Sequence, residues 1–428
     1  MNSIEYVETL PNMSERTLNN IFKLFNNQFK NIKDINKIFF ENNCYFFDKI
    51  SKKYSKEGEE FIKVFNELKK LVFDINTLFP YKAMETLKTG ENKMIKLNRK
   101  KVALLFLLSF LNLIYIRPNN KKNCFNVSRL LFKEQESAFQ FGRCFLNYLT
   151  VIGKWLTEKD PILSEEVIYL RTNNNSQQYL YNQENDIKLC KINLKEKGSL
   201  FNSNASYCVD FANKYIGGGV LNGGCVQEEI LFAIEPECVV SLFFMEVMGD
   251  NDAIGIYNTI QYSKYTGYGF EFKYDGSFIY NIHIKRHRII AIDAISKKRN
   301  NSHSYFQNSN GSLENEIIRD IHKAYVGFSL AQSDNDIPKT IATGNWGCGA
   351  FNGNHELKFI QQWIAASFAG IEILDYYTFK DKNMILVEKY YEKINDKFKT
   401  AKELYSALLC VSSIDKNYIQ NLLSIQNK

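Results

Sequence analysis

The chain has 428 residues, of which 45% are hydrophobic and 24% are charged. Such a chain can bury one large core or two ordinary ones, so we expect a soluble, folded protein. The apolar run from Val102 to Ile116 is shorter than the roughly 20 residues that a membrane-spanning helix needs, and it is predicted to be a buried core helix. The first residues show no basic start and no apolar h-region, so a cytoplasmic or nuclear location is expected.

Charge is divided unevenly along the chain. Residues 1–150 hold 25 Lys and Arg against 15 Asp and Glu, a net charge of +10, whereas residues 151–428 hold 29 against 32, a net charge of −3. The basic part either contacts a polyanion or is a solvated surface. Nine scattered cysteines without a CxxC pair indicate reduced thiols, and the five histidines form no ligand cluster. Neither a metal nor a redox cofactor is therefore predicted.

The first 155 residues are predicted to form a helical accessory domain. Three segments in it place apolar residues at helical spacing: FIKVFNELKKLVFDI, KKVALLFLLSFLNLI and QESAFQFGRCFLNYLTVI. From about residue 156 to 428, short β-branched and aromatic runs alternate with helical patterns, which predicts an α/β layered domain. The candidate strands are SYCVDFA, VVSLFFMEV, AIGIYNTI, RIIAIDAI, TIATG and GIEILDYYTF, and candidate helices follow Val226, Leu313 and Glu356.

A glycine-rich turn follows the first of these strands. Gly217, Gly218 and Gly219 come where the chain leaves the carboxyl end of the strand, the edge at which open α/β sheets bind ligands. Glycine permits positive φ, and successive amide N–H groups can form an anion nest. Glu228 and Glu229 then stand at the start of a helix. Taken alone, the glutamate pair is more typical of an ordinary first helical turn than of a catalytic site.

Two further segments make a ligand site the better interpretation. TGNWGCGAFNG, from Thr343 to Gly353, again follows an apolar strand and precedes a helix, so two glycine turns at one sheet edge can hold a diphosphate. QYSKYTGYGF, from Gln261 to Phe270, places Tyr262, Tyr265 and Tyr268 around Gly267, either to close over a nucleotide or to pack as a strand and turn.

These motifs resemble the eukaryotic-type poly(ADP-ribose) glycohydrolases, whose signature is three glycines, a short spacer and Gln-Glu-Glu. Here the signature reads GGG-VLNGGCV-QEE, and VDFAN, QYSKYTGY, AIDA, KAYVGF and ATGNWGCGAF match in order over roughly residues 200–380. The resemblance implies a macrodomain, a layered α/β/α mixed sheet, with an N-terminal all-helical accessory domain. It also implies cleavage of the ribose–ribose O-glycosidic bonds of poly(ADP-ribose) to ADP-ribose, without metal or cofactor. Protein-attached polymer is the implied partner, no membrane is involved, and a monomer is the default.

The resemblance also assigns residues. It implies that Glu229 is the catalytic acid and base, that Glu228 and Asn213 position the ribose at the cleaved bond, and that Asp210 supports that loop. The family's glycine loop usually ends Phe-Gly-Gly-Asp, and the sequence departs from it at Asn352 and Asn354. The residue that reads the adenine edge cannot be aligned. The other implied substrate-binding residues are Gly217, Gly218, Gly219, Val220, Gln227, Tyr265, the clasp tyrosine Tyr268, Gly347, Gly349, Ala350, Phe351 and the adenine-stacking Phe379.

The chemistry of a ribosyl bond agrees with two carboxylates. Its hydrolysis passes through an oxocarbenium-like state and needs an acid for the departing oxygen and a base for water. Consecutive helical residues point about 100° apart, so Glu228 and Glu229 are expected to have different roles, with mutual repulsion and burial raising one pKa. Three alternatives stay open: an ADP-ribose-binding module, a mono-ADP-ribosyl hydrolase and a nucleic-acid-binding protein.

Overall fold

A computed structural model describes residues 5–7, 15–79, 86–114, 126–181, 186–278, 285–297, 313–333, 335–411 and 418–425. The strands are β1 (Glu5–Val7), β2 (Lys93–Asn98), β3 (Glu166–Asn173), β4 (Lys191–Lys195), β5 (Tyr207–Ala212), β6 (Asp252–Thr259), β7 (Ser263–Thr266), β8 (Lys273–Ser277), β9 (His287–Asp293), β10 (Thr340–Gly344) and β11 (Ile373–Tyr377). The helices are α1 (Glu15–Phe25), α2 (Ile32–Phe40), α3 (Tyr45–Lys53), α4 (Ser55–Phe73), α5 (Ile75–Leu78), α6 (Arg99–Phe110), α7 (Ser128–Leu131), α8 (Glu136–Glu158), α9 (Gln178–Tyr181), α10 (Gln227–Ile234), α11 (Leu313–Phe328), α12 (His355–Phe368), α13 (Ile385–Lys397), α14 (Ala401–Cys410) and α15 (Tyr418–Ser424).

Nine strands form one mixed sheet in the order β1-β2-β3-β6-β9-β5-β10-β11-β4. The run from β9 through β5, β10 and β11 to β4 is parallel. The β2–β3, β3–β6 and β6–β9 pairs are antiparallel. Since neighbouring parallel strands end at the same edge, the loops after β5, β9, β10 and β11 leave the sheet side by side.

The sheet separates two apolar cores, because alternate residues of a strand point to opposite faces. In β9, Ile289 and Ala291 belong to the core shared with α10 and the N-terminal helices. Ile290 and Ile292 belong instead to the core shared with α11 to α15. The result is the predicted α/β/α arrangement, with the helical domain continuing one of its outer layers.

The N-terminal domain is built around α4, α6 and α8, which coincide with its three helical sequence patterns. Its apolar run forms the buried helix α6 as predicted, and the last two residues of that run lie outside the described part of the chain. The segment predicted as all-helical also contributes β1 and β2, which join the edge of the sheet. The boundary at residue 155 stays a prediction.

The predicted strand VVSLFFMEV is wrong. Residues Pro236–Phe243 form a 3₁₀ helix in which every residue is buried. A continuous apolar run looks the same whether it belongs to a buried strand or to a buried helical segment, so its composition could not separate the two. The other five predicted strands and the three predicted helices are present.

The helices and the cysteines of the described residues have two further properties. None of the helices in that part of the chain has the length and apolar character needed to cross a membrane. Every described cysteine is a free thiol, as predicted.

Candidate active site

The site is a cavity of about 770 Å³ at the sheet edge where β5, β9, β10 and β11 end. Each strand delivers one part of the wall through the loop that follows it, and β5 does so together with the start of α10. The wall also includes the tip of the β7–β8 hairpin. Predicted site residues in the wall are Asn213, Gln227, Glu228, Glu229, Tyr268, Gly347, Gly349, Ala350, Phe351 and Phe379.

The glutamate pair is held by backbone amides. Glu228 accepts hydrogen bonds from the N–H of Asn213 at 2.9 Å and of Gly217 at 2.7 Å, one on each carboxylate oxygen. Glu229 accepts from the N–H of Gly219 at 2.7 Å and of Val226 at 2.9 Å. The two side chains are 3% and 7% exposed, so both are fixed at the cavity wall with little access to bulk water.

Gly218 lies between the amides that hold the two glutamates. Its φ is +51°, in the left-handed region that favours glycine. A Cβ added there would collide with carboxylate oxygens of both Glu228 and Glu229. The middle glycine is therefore needed for backbone conformation and for the close approach of both carboxylates.

Gln227 ties the first turn of α10 to the sheet. Its side-chain oxygen accepts from the N–H of Phe211 at 2.8 Å, and its amide nitrogen donates to the carbonyl of Val209 at 3.0 Å. The Gln227 side chain thereby continues the hydrogen bonding of β5 and sets the direction in which the two glutamates project. The sequence assigned it only a contact with substrate.

Asp210 lies behind the glutamates, fully buried on β5. Neither of its carboxylate oxygens has a hydrogen-bond partner in the described structure. Burial raises the pKa of Asp210 well above its ordinary range, and the charge of Glu229 raises it further. Burial and then the charges of Asp210 and Glu229 raise the pKa of Glu228, while its two backbone hydrogen bonds oppose that rise. Burial and the neighbouring carboxyl groups therefore raise the pKa values of Glu228 and Asp210 together.

The second glycine segment turns directly after β10. The indole of Trp346 is fully buried and donates to the carbonyl of Ile292 at 2.9 Å, which ties the loop to the neighbouring strand β9. Gly347 has a φ of +73°, and a Cβ there would lie 2.6 Å from Cβ of Ala294. The loop closes where the N–H of Gly353 donates to the carbonyl of Gly347 at 2.9 Å. In a tight backbone turn of this kind, the amide N–H groups can contact an anionic group of a ligand.

The three tyrosines in the segment from Gln261 to Phe270 lie in different environments. Tyr268 is 60% exposed and forms part of the cavity wall. The Tyr265 ring stacks on Phe272 at 5.5 Å and helps to support the hairpin. Tyr262 is buried, and its hydroxyl donates to Glu237 at 2.8 Å. Only Tyr268 of the three therefore has the placement expected of a clasp over a ligand.

A polar group on the far wall was not anticipated from the sequence. His355 Nε2 lies 3.1 Å from Asp381 Oδ2, and the backbone N–H of Asn383 donates to the other oxygen of Asp381 at 2.9 Å. All three residues line the cavity beside Phe379. Isolated polar residues on two separate loops carry no spacing pattern, and only the parallel pairing of β10 and β11 brings them together.

Six predicted site residues do not line the cavity. Asp210 and Val220 are fully buried, and Tyr265 packs within the hairpin. Gly217, Gly218 and Gly219 lie behind the carboxylates that they hold. Support of the loop by Asp210 and direct contact of the other five residues with substrate stay predictions. In the described part of the chain, no group of three or more His, Cys, Asp or Glu side chains is arranged to hold a metal ion. Catalysis without a metal likewise stays a prediction.

The nine-stranded mixed sheet between helical layers, with a ligand-sized cavity at the ends of its parallel strands, defines the class as a macrodomain carrying an N-terminal helical domain. Two family models agree. The macro domain fold of poly(ADP-ribose) glycohydrolase matches residues 179–385, and the helical domain of the same enzyme matches residues 52–171. The chain belongs to the poly(ADP-ribose) glycohydrolase family.

Individual relatives of the chain are also named as poly(ADP-ribose) glycohydrolases. Poly(ADP-ribose) glycohydrolase 1 of Arabidopsis thaliana is 30% identical over an alignment of 263 positions, and the match covers 46% of this chain and 47% of that protein. Probable poly(ADP-ribose) glycohydrolase 2 of the same plant is 28% identical over an alignment of 282 positions, and the match covers 55% of this chain and 52% of the relative. Poly(ADP-ribose) glycohydrolase 1 of Caenorhabditis elegans is 42% identical over 173 residues, 38% of this chain and 22% of the relative. The chain thus matches about half the length of the plant relatives and less of the nematode protein.

Proposed function

We propose that the protein hydrolyses the ribose–ribose O-glycosidic bonds of poly(ADP-ribose) and releases ADP-ribose. The observation that carries this proposal is the pair of carboxylates fixed by the glycine loop at the wall of a macrodomain cavity. A module that only binds ADP-ribose would have no use for three adjacent buried carboxyl groups, Asp210, Glu228 and Glu229, whose burial is costly unless it serves a reaction.

Glu229 is proposed as the acid and base. Each of its oxygens accepts one backbone N–H, which leaves one position on each oxygen to carry the acid proton or to accept a proton from water. In the proposed reaction, the Glu229 carboxyl gives its proton to the departing 2′-oxygen as the bond from that oxygen to C1″ breaks. The resulting carboxylate then takes a proton from the water that attacks the oxocarbenium-like C1″.

The other wall residues are proposed to orient the substrate. Glu228 and Asn213 are beside Glu229 and would position the ribose, and the Gly347 to Phe351 turn would receive the diphosphate through its backbone. Phe379 is exposed on the wall two strands away from β5, a suitable place for the adenine of the same unit. Protein-attached polymer as the natural substrate, a monomeric state and a cytoplasmic or nuclear location belong to the same proposal.

The test compares the wild-type protein with Glu229→Gln on defined poly(ADP-ribose) in the presence of EDTA, with ADP-ribose release followed by chromatography. General acid–base catalysis contributes about 10²–10⁴ in rate, so the variant should lose turnover by that order. Because Gln retains only one acceptor oxygen for two backbone donors, ADP-ribose affinity is measured as well to show that the cavity is intact. Glu314→Gln, at an exposed position on α11, is the matched control and should keep full activity.

Three other outcomes would reject parts of the proposal. Equal activity of Glu229→Gln and wild type would remove Glu229 from the reaction. Polymer binding without release by either protein would indicate a binding module. Release only of single protein-linked units, with free polymer untouched, would indicate a mono-ADP-ribosyl hydrolase.

A further inference from the structure

The tip of the β7–β8 hairpin presents an aromatic ring to solvent. Phe270 lies in the 3₁₀ turn Gly269–Glu271 between the two strands, and its side chain is 89% exposed, more than any other large hydrophobic side chain in the described part of the chain. A single exposed apolar residue is common on protein surfaces and by itself assigns no function. Two further observations indicate a role for Phe270: the contacts that support its backbone, and its position relative to the cavity.

The hairpin that carries Phe270 is firmly attached to α8. Phe272 packs edge-on against Phe141 at 4.8 Å between ring centres. The backbone N–H of Tyr274 donates to Gln140 Oε1 at 3.1 Å, and the side chain of Asn147 donates to the carbonyl of Tyr262 at 2.9 Å. These contacts lie on both sides of the tip, so the exposure of Phe270 is imposed by a supported backbone.

The tip itself has a defined conformation. Gly267 and Gly269 have φ of +74° and +61°, which only glycine adopts without strain. A Cβ on Gly267 would collide with the carbonyl of Glu271. The turn therefore holds Tyr268 and Phe270 in fixed positions two residues apart, one facing the cavity and one facing solvent.

The tip lies at the end of the cavity that contains Glu229. Tyr268 lines the same cavity as Gln227, Glu228 and Glu229, the first turn of α10. Phe379, in contrast, follows β11, which is two strands or about 10 Å from β5. The hairpin tip and Phe379 thus border different ends of the cavity.

The polymer has to leave the cavity at the Glu229 end. This step rests on the proposed function: the bond that is cleaved joins C1″ of the unit in the cavity to the 2′-oxygen of the neighbouring unit's adenosine. That adenosine therefore begins at Glu229, and its adenine lies one ribose further out, on the side where the hairpin tip stands. We propose that Phe270 is the stacking platform for the adenine of this neighbouring unit, an outer base-binding subsite. Stacking is the recognition mode available to an exposed ring without polar partners.

The experiment measures binding of ADP-ribose and of a two-unit ADP-ribose fragment in the Glu229→Gln background, which prevents turnover. Phe270→Ala should weaken binding of the two-unit fragment about 5- to 150-fold, the usual effect of removing one base-stacking ring, and leave ADP-ribose binding unchanged. Phe270→Trp should restore binding of the fragment. Phe278→Ala removes another exposed phenylalanine, just beyond the end of β8, and should change neither affinity.

Each contrary result has a distinct meaning. Equal binding of the two-unit fragment by Phe270→Ala and its parent would overturn the subsite. Equal losses for ADP-ribose and the fragment would mean that the substitution disturbs the cavity, and a loss confined to protein-attached polymer would assign the ring to the carrier protein; both overturn the base-stacking proposal. If the wild-type protein binds the two-unit fragment but never cleaves polymer, the proposed function is refuted. The subsite is still tested in that case, because Phe270→Ala and its parent can be compared for their affinity for the fragment.

Discussion

Glu228 and Glu229 are held by amides two residues apart on one glycine loop: Gly217 N–H donates to Glu228 Oε1 and Gly219 N–H donates to Glu229 Oε1, both at 2.7 Å. Consecutive helical side chains diverge by about 100°, so a flat loop could not reach both. The loop reaches both carboxylates because its backbone turns at Gly218, whose φ is positive. The three glycines therefore position the carboxylates, in addition to any contact with phosphate.

Gly218→Ala should abolish most of the activity. The added methyl group would displace both carboxylates, and displacement of catalytic groups by about 1 Å can cost roughly 100-fold in rate. The substitution also places alanine at positive φ, a cost of about 1–2 kcal/mol in stability. The measurement is kcat/KM on polymer together with urea unfolding.

Gly90→Ala separates the two effects. Gly90 has a φ of +85° and no atom within 4 Å of an added Cβ, so this variant carries the backbone strain without the collision. It should lose a similar amount of stability and keep its kcat/KM. If Gly218→Ala were as active as Gly90→Ala, the positioning role of the glycine would be refuted.

The sequence could predict which segments come together where motifs follow strands, because the ends of neighbouring parallel strands meet at one edge of the sheet. Glu229, Tyr268 and Phe351 are on three separate segments and line the same cavity. The prediction of secondary structure was wrong where only an apolar composition was available, as for the buried 3₁₀ helix at 236–243, which was predicted to be a strand. The sequence also could not predict the pairing of His355 with Asp381, because a contact between two lone polar residues on different loops has no signature along the chain.

Asp210→Asn should stabilise the protein at neutral and alkaline pH. The raised pKa means that the folded state keeps the Asp210 proton to a higher pH than the unfolded state does. Stability is therefore lost as pH rises from the unfolded value, near 3.8, through the folded pKa. The uncharged Asn side chain removes this loss, so the gain in the free energy of unfolding should be absent near pH 4 and grow with pH. Urea unfolding from pH 4 to pH 8 measures it.

Asp375→Asn is the contrasting variant. Both oxygens of Asp375 are hydrogen-bonded, to Asn193 at 2.9 Å and to Ser203 at 3.1 Å, so the substitution should give no gain at any pH. A stability difference between Asp210→Asn and wild type that stayed constant from pH 4 to pH 8 would show that Asp210 does not titrate as described.

Lys358→Met should destabilise the fold and weaken ligand binding. The Lys358 ammonium pairs with the buried Asp320 and lies 4.7 Å from the Trp346 ring centre, directly below the second glycine loop. Breaking a buried ion pair from one side costs about 3–5 kcal/mol, because the partner charge stays buried. We expect that loss in unfolding experiments and a raised KM with a smaller change in kcat, since the loop that receives the diphosphate loses its support.

The double variant Lys358→Met/Asp320→Asn tests whether the charge is the cause. Asp320 also accepts from Arg319 at 2.9 Å, so recovery of stability should be partial. Recovery of KM with the pair removed would assign the effect to the unpaired carboxylate. No recovery of either quantity would assign it to the packing of the lysine stem under the loop.

Lysines at the corner between α3 and α4 should contribute to affinity for long polymer. Lys52, Lys53 and Lys56 are exposed there, and Lys52 is paired with Asp48 at 2.7 Å, so it should contribute least. Changing all three to Gln should weaken binding of long poly(ADP-ribose) but not of a two-unit fragment, which is expected to extend no further than the tip of the β7–β8 hairpin. For a single-stranded polyanion the slope of log K against log salt should become shallower by up to about 2.

The same charge change on the other side of the molecule provides the control. Lys389, Lys393 and Lys399 are exposed on or next to α13, and their triple change to Gln lowers the net charge by the same amount. If both triple variants bind long polymer equally weakly, the effect is one of net charge alone. If only the α3–α4 variant is weakened, and the difference disappears at high salt, the helical domain has a local polymer-binding surface, because screening removes contacts between exposed charges.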